Sequence, residues 1–395
     1  MLSEKMLNLG KKRSVIREIF EYGKKRAGEI GAENIFDFSI GNPNVPAPEY
    51  LKNVLLTLLK ESDPTQLHSY TSAQGDLEVR KKIADNINEK FSTSLSPENI
   101  YMTSGAAAAL TISIKAMTLP DDEFIIFAPY FPEYTVFVET AGAKAVIIPP
   151  DIKNFQIDLH KFEEAINERT KGIIINSPNN PSGAIYSKET ILSLCEILSK
   201  KERAYGHPIY IISDEPYREL IYDDIEVPYI INHYKNSMVS YSYSKSLSIP
   251  GERIGYIAVS PEMVNSEDMY AAVCGAGRAL GYVCAPSLFQ KAIAECVNKT
   301  SDISVYKENR DILYKELSEL GYSCVKPDGA FYLFIKALED DAEAFCMRAR
   351  KHELLLVAGD GFGCPGYVRI SYCVRTDQIK KSIPAFAKLA LEYKK

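Results

Sequence analysis

A lysine among hydroxyls stands at Ser242-Tyr243-Ser244-Lys245, with Arg253 eight residues beyond it. The apolar run 238–241 precedes it, so Lys245 is expected on a loop at a strand's end. Open α/β sheets place their ligand crevice there. A lysine amine whose pKa is lowered, or which is exchanged by transimination, can form an imine with an aldehyde cofactor. Two serine hydroxyls and a planar guanidinium suit a phosphate dianion. A surface lysine in a serine-rich turn fits the same residues equally well.

Ser213-Asp214-Glu215-Pro216-Tyr217 follows the strand-like run 209–212. A carboxylate opposite a pyridine nitrogen would keep that ring protonated. At an effective dielectric of ~20, charges ~4 Å apart attract by roughly 4 kcal/mol. That is about three pKa units, enough to make the ring an electron sink at neutral pH. The Tyr217 phenol could donate to a ring oxyanion. Taken alone, an Asx-type turn after a strand is the commoner origin of such a segment.

Three further segments carry polar groups to similar places. In Asn176-Ser177-Pro178-Asn179-Asn180-Pro181, two X-Pro steps stiffen the loop after the run 172–175. Asn180 could then donate to an oxyanion or a carboxylate, although a generic turn has this composition too. Thr103-Ser104-Gly105-Ala106-Ala107 runs from a strand into an alanine-rich helix, whose free N–H groups could cradle a phosphate. Ser-Gly before a helix is also a common cap. Arg369 sits in the strand-like Tyr367-Val368-Arg369-Ile370-Ser371, where a charge is costly unless paired. A substrate α-carboxylate would pair it bidentately, and so would a structural salt bridge.

The elements that must position these groups alternate. Apolar runs at 100–102, 124–127, 145–148, 172–175, 209–212, 238–241 and 254–259 are separated by several helical stretches, such as 187–200. Runs rich in Ile and Val imply a mostly parallel sheet buried on both faces by helices. Beyond about residue 285 the pattern changes to helices at 286–297, 305–320, 341–351 and 376–393, with strands at 329–334 and 367–373. We read this as a smaller α+β domain, joined by an amphipathic helix at 14–30 with Ile16, Ile19, Phe20 and Tyr22 along it.

A chain of 395 residues accommodates two domains and buries enough surface to need no disulfide or metal staple. Its net charge of -6 and scattered basic residues, such as the run Lys11-Lys12-Arg13, argue against a nucleic-acid partner. Eight dispersed cysteines without a C-x-x-C pair argue against a zinc site and suit a reducing cytoplasm. No run is long enough to span a membrane, and no signal-peptide pattern opens the chain. Gly361-Phe362-Gly363-Cys364-Pro365-Gly366 matches a dinucleotide fingerprint by letters only. A strand follows it where a helix should, so it is expected to be a loop leading to Arg369.

Together and in this order, over residues 14–390, these segments resemble the class I/II pyridoxal-phosphate-dependent aminotransferases, fold type I, related to aspartate aminotransferase. The resemblance implies an α/β large domain at 48–285, with a mostly parallel seven-stranded sheet. It also implies a smaller α+β domain built from 1–47 and 286–395. Pyridoxal 5'-phosphate would be held as an imine by Lys245, which also shuttles a proton between substrate and cofactor. Asp214 matches the partner of the ring nitrogen, and Tyr217 and Asn180 match the donors to the ring oxygen. Ser242, Ser244, Arg253 and the backbone of Gly105, Ala106 and Ala107 match the phosphate cup. Phe131, in Pro129-Tyr130-Phe131-Pro132, matches the aromatic ring stacked on the cofactor. Arg369, helped by Gly41 in Ile40-Gly41-Asn42-Pro43, matches the α-carboxylate clamp. Tyr70 matches a tyrosine that reaches the neighbouring subunit's phosphate, which implies a homodimer with shared sites.

The chain departs from the family's pattern in three respects. It has no Trp for the stacking position. Ala106 and Ala107 offer no side-chain donor to the phosphate. Arg278 lies near the place of a distal-carboxylate arginine but about one residue out of register. The implied reaction is ping-pong transfer of an amino group between an L-amino acid, an acidic one such as aspartate being suggested by Arg278, and a 2-oxo acid such as 2-oxoglutarate. This places the chain in amino-acid metabolism, without a metal, a membrane or nucleic acid. The rival within the superfamily is a C–S β-lyase or decarboxylase, since the same carbanion could expel a β-substituent. A regulatory protein with a similar ligand domain would need a DNA-binding domain ahead of residue 14, where none fits.

Overall fold

The computed structural model describes residues 2–11 and 15–394, apart from the side chains at 15 and 16. Lys12, Arg13, Ser14 and the side chain of Ile16, which figure in the sequence reading, lie outside the described residues. The described strands, in chain order, are β1 Phe36–Asp37, β2 Ile100–Thr103, β3 Glu123–Phe127, β4 Lys144–Ile148, β5 Thr170–Asn176 and β6 Tyr210–Asp214. They continue with β7 Ser237–Ser242, β8 Gly255–Val259, β9 Tyr332–Lys336, β10 Leu354–Leu355, β11 Val357–Ala358 and β12 Tyr367–Ser371.

The seven apolar runs read from the sequence form one seven-stranded sheet in the order β2-β8-β7-β6-β5-β3-β4. Only β8 runs against its neighbours. Strand side chains alternate between faces, and here both faces are apolar. Ile125, Ile173 and Ile211 pack on one face with Ile83, Leu194 and Leu198. Ile126, Ile174 and Ile212 pack on the other with Leu110, Ile112 and Val273. The helix Ala106–Met117 lies on this second face, against Ser266–Leu280.

Register decides what meets at the sheet's end. Asn176 pairs with Asp214, Asp214 with Ser240, and Ser242 with Gly255. Thr103 pairs with Gly255 as well. The carboxyl ends of β2, β5, β6 and β7 therefore lie along one edge, β2 and β7 ending two residues beyond β5 and β6. The reversed β8 starts at that same edge, so Arg253, just ahead of it, arrives beside the others.

The smaller unit carries the antiparallel sheet β11-β12-β9 and the parallel pair β1-β10. The helices Ser304–Leu320 and Thr376–Leu391 pack together over a core that includes Leu313, Leu317, Ile379 and Phe386. The helix Val15–Ile30 joins this unit, with Ile19 in a cluster with Leu355 and Val357. Helix Ser287–Ala294 is shorter than the expected 286–297 and packs on Glu49–Glu61 and Leu77–Phe91, beside the large sheet. An exposed helix at Glu4–Lys11 was not anticipated. No described helix is long and apolar enough to cross a membrane.

Candidate active site

These strand ends border a cavity of about 300 Å³. Lys245, Asp214, Tyr217, Asn180 and Phe131 line it. Ala106, Ala107, Ser242, Ser244 and Arg253 line its phosphate-sized end, and Gly41 and Arg369 close it from the smaller unit.

Lys245 lies on the one-turn helix Tyr243–Ser246, started by Ser242, whose hydroxyl accepts from Ser244 N at 3.1 Å. Its Nζ donates to Gly41 O at 2.6 Å and sits 5.4 Å from the Phe331 ring centroid. No carboxylate of the described residues pairs with it. Burial dominates, and the amine's pKa falls to about 8.

Asp214 ends β6 and is 4% exposed. Its main-chain oxygen accepts from Asn176 Nδ2 at 2.8 Å, and its Oδ2 accepts from Tyr134 Oη at 2.5 Å. Oδ1 is buried without a hydrogen-bond partner. Burial, only partly offset by Tyr134, raises the carboxyl pKa to about 7. A cationic ring nitrogen at Oδ1 would relieve that cost, so the residue fits pyridoxal phosphate.

The phosphate end fits too. Gly105, at φ 83, caps the helix Ala106–Met117 without a side-chain bond. Its first N–H groups have no partner within the helix. A Cβ on Gly105 would come within 2.6 Å of Arg253 Nη2, so glycine lets the guanidinium close on the helix end. Arg253 Nη1 donates to Ser244 Oγ at 3.4 Å, and Ser242 and Ser244 share a hydroxyl contact at 2.6 Å.

Arg369 is 2% exposed. Its Nη1 donates to Asn180 Oδ1 at 3.1 Å and its Nη2 to Ser39 O at 2.5 Å. Nε has no partner, and no described carboxylate forms an ion pair with this guanidinium. It lies between the rings of Tyr332 and Phe362, 4.7 and 4.9 Å from their centroids. Burial lowers its pKa. Phe362 belongs to the glycine-rich segment 361–366, which is a turn ahead of β12 rather than a βαβ crossover.

Tyr134 and Tyr332 escaped the sequence reading. Tyr332 Oη meets Tyr217 Oη at 2.9 Å, and a Cβ on Gly41 would overlap that same Tyr332 hydroxyl. The strand reading of Gly329 to Phe334 held the signal for Tyr332; nothing in the sequence singled out Tyr134. Three expected site residues are absent from the cavity lining of their own chain: Gly105, which caps the lining helix Ala106–Met117, and Tyr70 and Arg278. Tyr70 is 93% exposed, and Arg278 is exposed on the helix Ser266–Leu280.

The family model for aminotransferase class I and II matches residues 33–386. The aspartate aminotransferase of Thermotoga maritima is 30% identical, covering 89% of this chain and 90% of its own length. A probable aspartate aminotransferase of Methanocaldococcus jannaschii is 31% identical, covering 97% and 98%. Among solved structures, an aminotransferase from Eubacterium rectale superposes with a TM-score of 0.98, at 57% identity and 100% coverage of both chains. With strand ends, cavity and relatives in agreement, the chain belongs to the class I and II aminotransferases, a family of pyridoxal-phosphate-dependent enzymes.

Proposed function

We propose that this aminotransferase moves an amino group between an L-amino acid and a 2-oxo acid such as 2-oxoglutarate, alternating the two in a ping-pong cycle. Arg369 carries the reading: a buried guanidinium that lines the cavity, with Nε unpartnered, calls for an anion from outside the chain. A substrate α-carboxylate supplies it, and Asn180 and the Gly41 turn border the same place.

Bound pyridoxal phosphate would supply an aldehyde that joins amines and a protonated ring that accepts the electron pair left at Cα. The chain does the rest. Ser242, Ser244, Arg253 and the N–H groups of Ala106 and Ala107 would hold the phosphate. Asp214 would keep the ring nitrogen protonated through Oδ1. Asn180 and Tyr217 would donate to the ring oxygen, and Phe131 would cover the ring. An amine with a pKa near 8 is partly neutral at pH 7, so Lys245 can attach the cofactor and carry the Cα proton. Closure of the two units over a bound substrate would keep water from that proton.

The cations lining the cavity are Lys245, Arg253 and Arg369, and each has a role above. A distal carboxylate would need one more. We propose that Arg278 and Tyr70, both turned away from their own cavity, complete the site of a second copy in a homodimer. An acidic donor such as aspartate then suits the site. The units at 48–285 and at 1–47 with 286–395 would close on the substrate, with helix Ser287–Ala294 remaining against the large one. Eight free thiols support a cytoplasmic setting.

An amino-donor screen against 2-oxoglutarate, with Arg278→Leu beside the wild type, tests this. Loss confined to aspartate and glutamate is expected. Equal loss with an apolar donor would remove Arg278 from the side-chain site. Pyruvate and ammonia from cysteine conjugates, without return of the amino group to a 2-oxo acid, would replace transfer by β-elimination.

A further inference from the structure

We infer that Tyr134 is a positioning residue for Asp214: its hydroxyl binds Oδ2 and so leaves Oδ1 to face the cofactor's ring nitrogen. The inference rests on the proposal that pyridoxal phosphate occupies the cavity.

Tyr134 lies in the first turn of the helix Glu133–Ala141 and is 2% exposed. It reaches Asp214 across 80 residues of sequence. The aspartate's backbone is already pinned, because Asn176 donates to its carbonyl and Ser240 pairs with it across the strands. What remains free is rotation of the carboxylate itself. One strong bond to Oδ2 sets that plane and decides where Oδ1 points. Phe131 meets the Tyr134 ring edge-on, with centroids 5.7 Å apart, so the residue expected to cover the cofactor also braces the phenol.

Charge gives the bond a second effect. The groups facing the carboxyl are Tyr134 from the neighbouring helix, with Glu215 and Tyr217 from the exit of its own strand; Tyr186 faces the Tyr134 phenol. Glu215 is turned away and paired with Arg218. Tyr134 is thus the one donor to the carboxylate among the described residues, opposing a burial that favours its neutral form. Burial and Asp214 together raise the phenol's own pKa well above the usual range, so it stays a donor at every working pH. Without that donor, a proton shared between the ring nitrogen and Asp214 moves toward the carboxylate.

The test uses holoenzyme loaded with pyridoxal phosphate labelled with ¹⁵N in the ring. In wild type the ring nitrogen is expected to show the protonated shift across neutral pH. In Tyr134→Phe its titration should fall by about one pH unit or more, as loss of a bond to a charged group implies. Turnover should fall roughly ten- to a hundredfold with KM nearly constant. Tyr134→His, which restores a donor, should recover part of both. A Tyr134→Phe enzyme with the wild-type ring titration and kcat would overturn the inference and leave the cofactor reading intact. Wild type that takes up no pyridoxal phosphate would overturn both.

Discussion

Arg369 donates from Nη1 to Asn180 Oδ1 at 3.1 Å, joining β12 of the smaller unit to the loop that leaves β5 of the larger one. The two residues are 189 positions apart, yet they share a single buried contact at the cavity wall. A substrate carboxylate entering there can use the guanidinium's spare Nε without breaking the ion pair of another residue.

Replacement of that fork should separate binding from chemistry. Arg369→Lys is expected to lower kcat/KM roughly ten- to a hundredfold for donor and acceptor alike, because a point charge cannot form two parallel bonds to a carboxylate. Most of the loss should be in KM. Steady-state kinetics with two donors and one acceptor check this, and an unchanged KM would contradict the clamp.

Lys245 should set the pH at which cofactor-free protein captures pyridoxal phosphate. Its pKa is lowered to about 8, so the neutral amine accumulates as pH rises toward that value. The rate of visible-absorbance gain should therefore climb with a midpoint near pH 8 rather than at the ordinary lysine value near 10.4. Lys245→Ala should bind the cofactor without a covalent link, seen as no mass increment after borohydride. A yellow, fully active variant would end the assignment.

Asp214 predicts a pH-dependent stability in the absence of cofactor. Its folded pKa is raised from 3.8 to about 7 by burial. Between these values the folded chain holds a proton that the unfolded chain has released. Stability is therefore lost as pH rises from about 4 to 7, by up to ~4 kcal/mol for a shift of about three units. Asp214→Asn should remove the loss. Thermal melts of cofactor-free protein should then agree near pH 4 and favour the variant above pH 7; parallel curves would show that the carboxylate has another partner.

Gly105→Ala should weaken cofactor binding rather than folding alone. The glycine has φ 83, and a Cβ would meet Arg253 Nη2 at 2.6 Å. The guanidinium must retreat from the helix end, leaving the phosphate with fewer donors. Titration with pyridoxal phosphate is expected to show at least roughly tenfold weaker binding, with little change for pyridoxal itself. Equal weakening for both would point to distortion of the ring site instead.

Shared sites can be tested by complementation. If Tyr70 serves a second copy, mixing Lys245→Ala chains with Tyr70→Ala chains regenerates one intact site per mixed dimer. Activity should then exceed that of either parent. If Tyr70 acts within its own chain, every mixed site carries one lesion and no gain appears.

Much of this was legible along the chain because the signals are local. Runs of Ile and Val between amphipathic stretches mark strands buried on both faces, and all seven runs entered one sheet. Lys245, Asp214 and Asn180 stood just beyond or at the end of such runs, and a parallel sheet places those ends on one edge. Boundaries were less legible. The run at 209–212 gave no reason to extend β6 to Asp214, which is strand only because Asn176 and Ser240 flank it. The expected strand at 329–334 begins at Tyr332, since Gly329 N bonds to Gly183 O and Ala330 has φ 56.

Residue order alone determined the sheet and the set of side chains brought to its edge, since periodicity and strand-end position follow from neighbours in sequence; the family came from the resemblance of the motifs together. Tertiary structure decided what each of those side chains was left to do. Tyr134 takes one oxygen of Asp214 and spares the other. Arg369 has rings and amide oxygens around it rather than a carboxylate. Tyr70 and Arg278 face outward. The reason is physical: whether a buried polar atom has a partner depends on groups far along the chain, 80 residues away for Asp214 and 189 for Arg369, and nothing local specifies their approach.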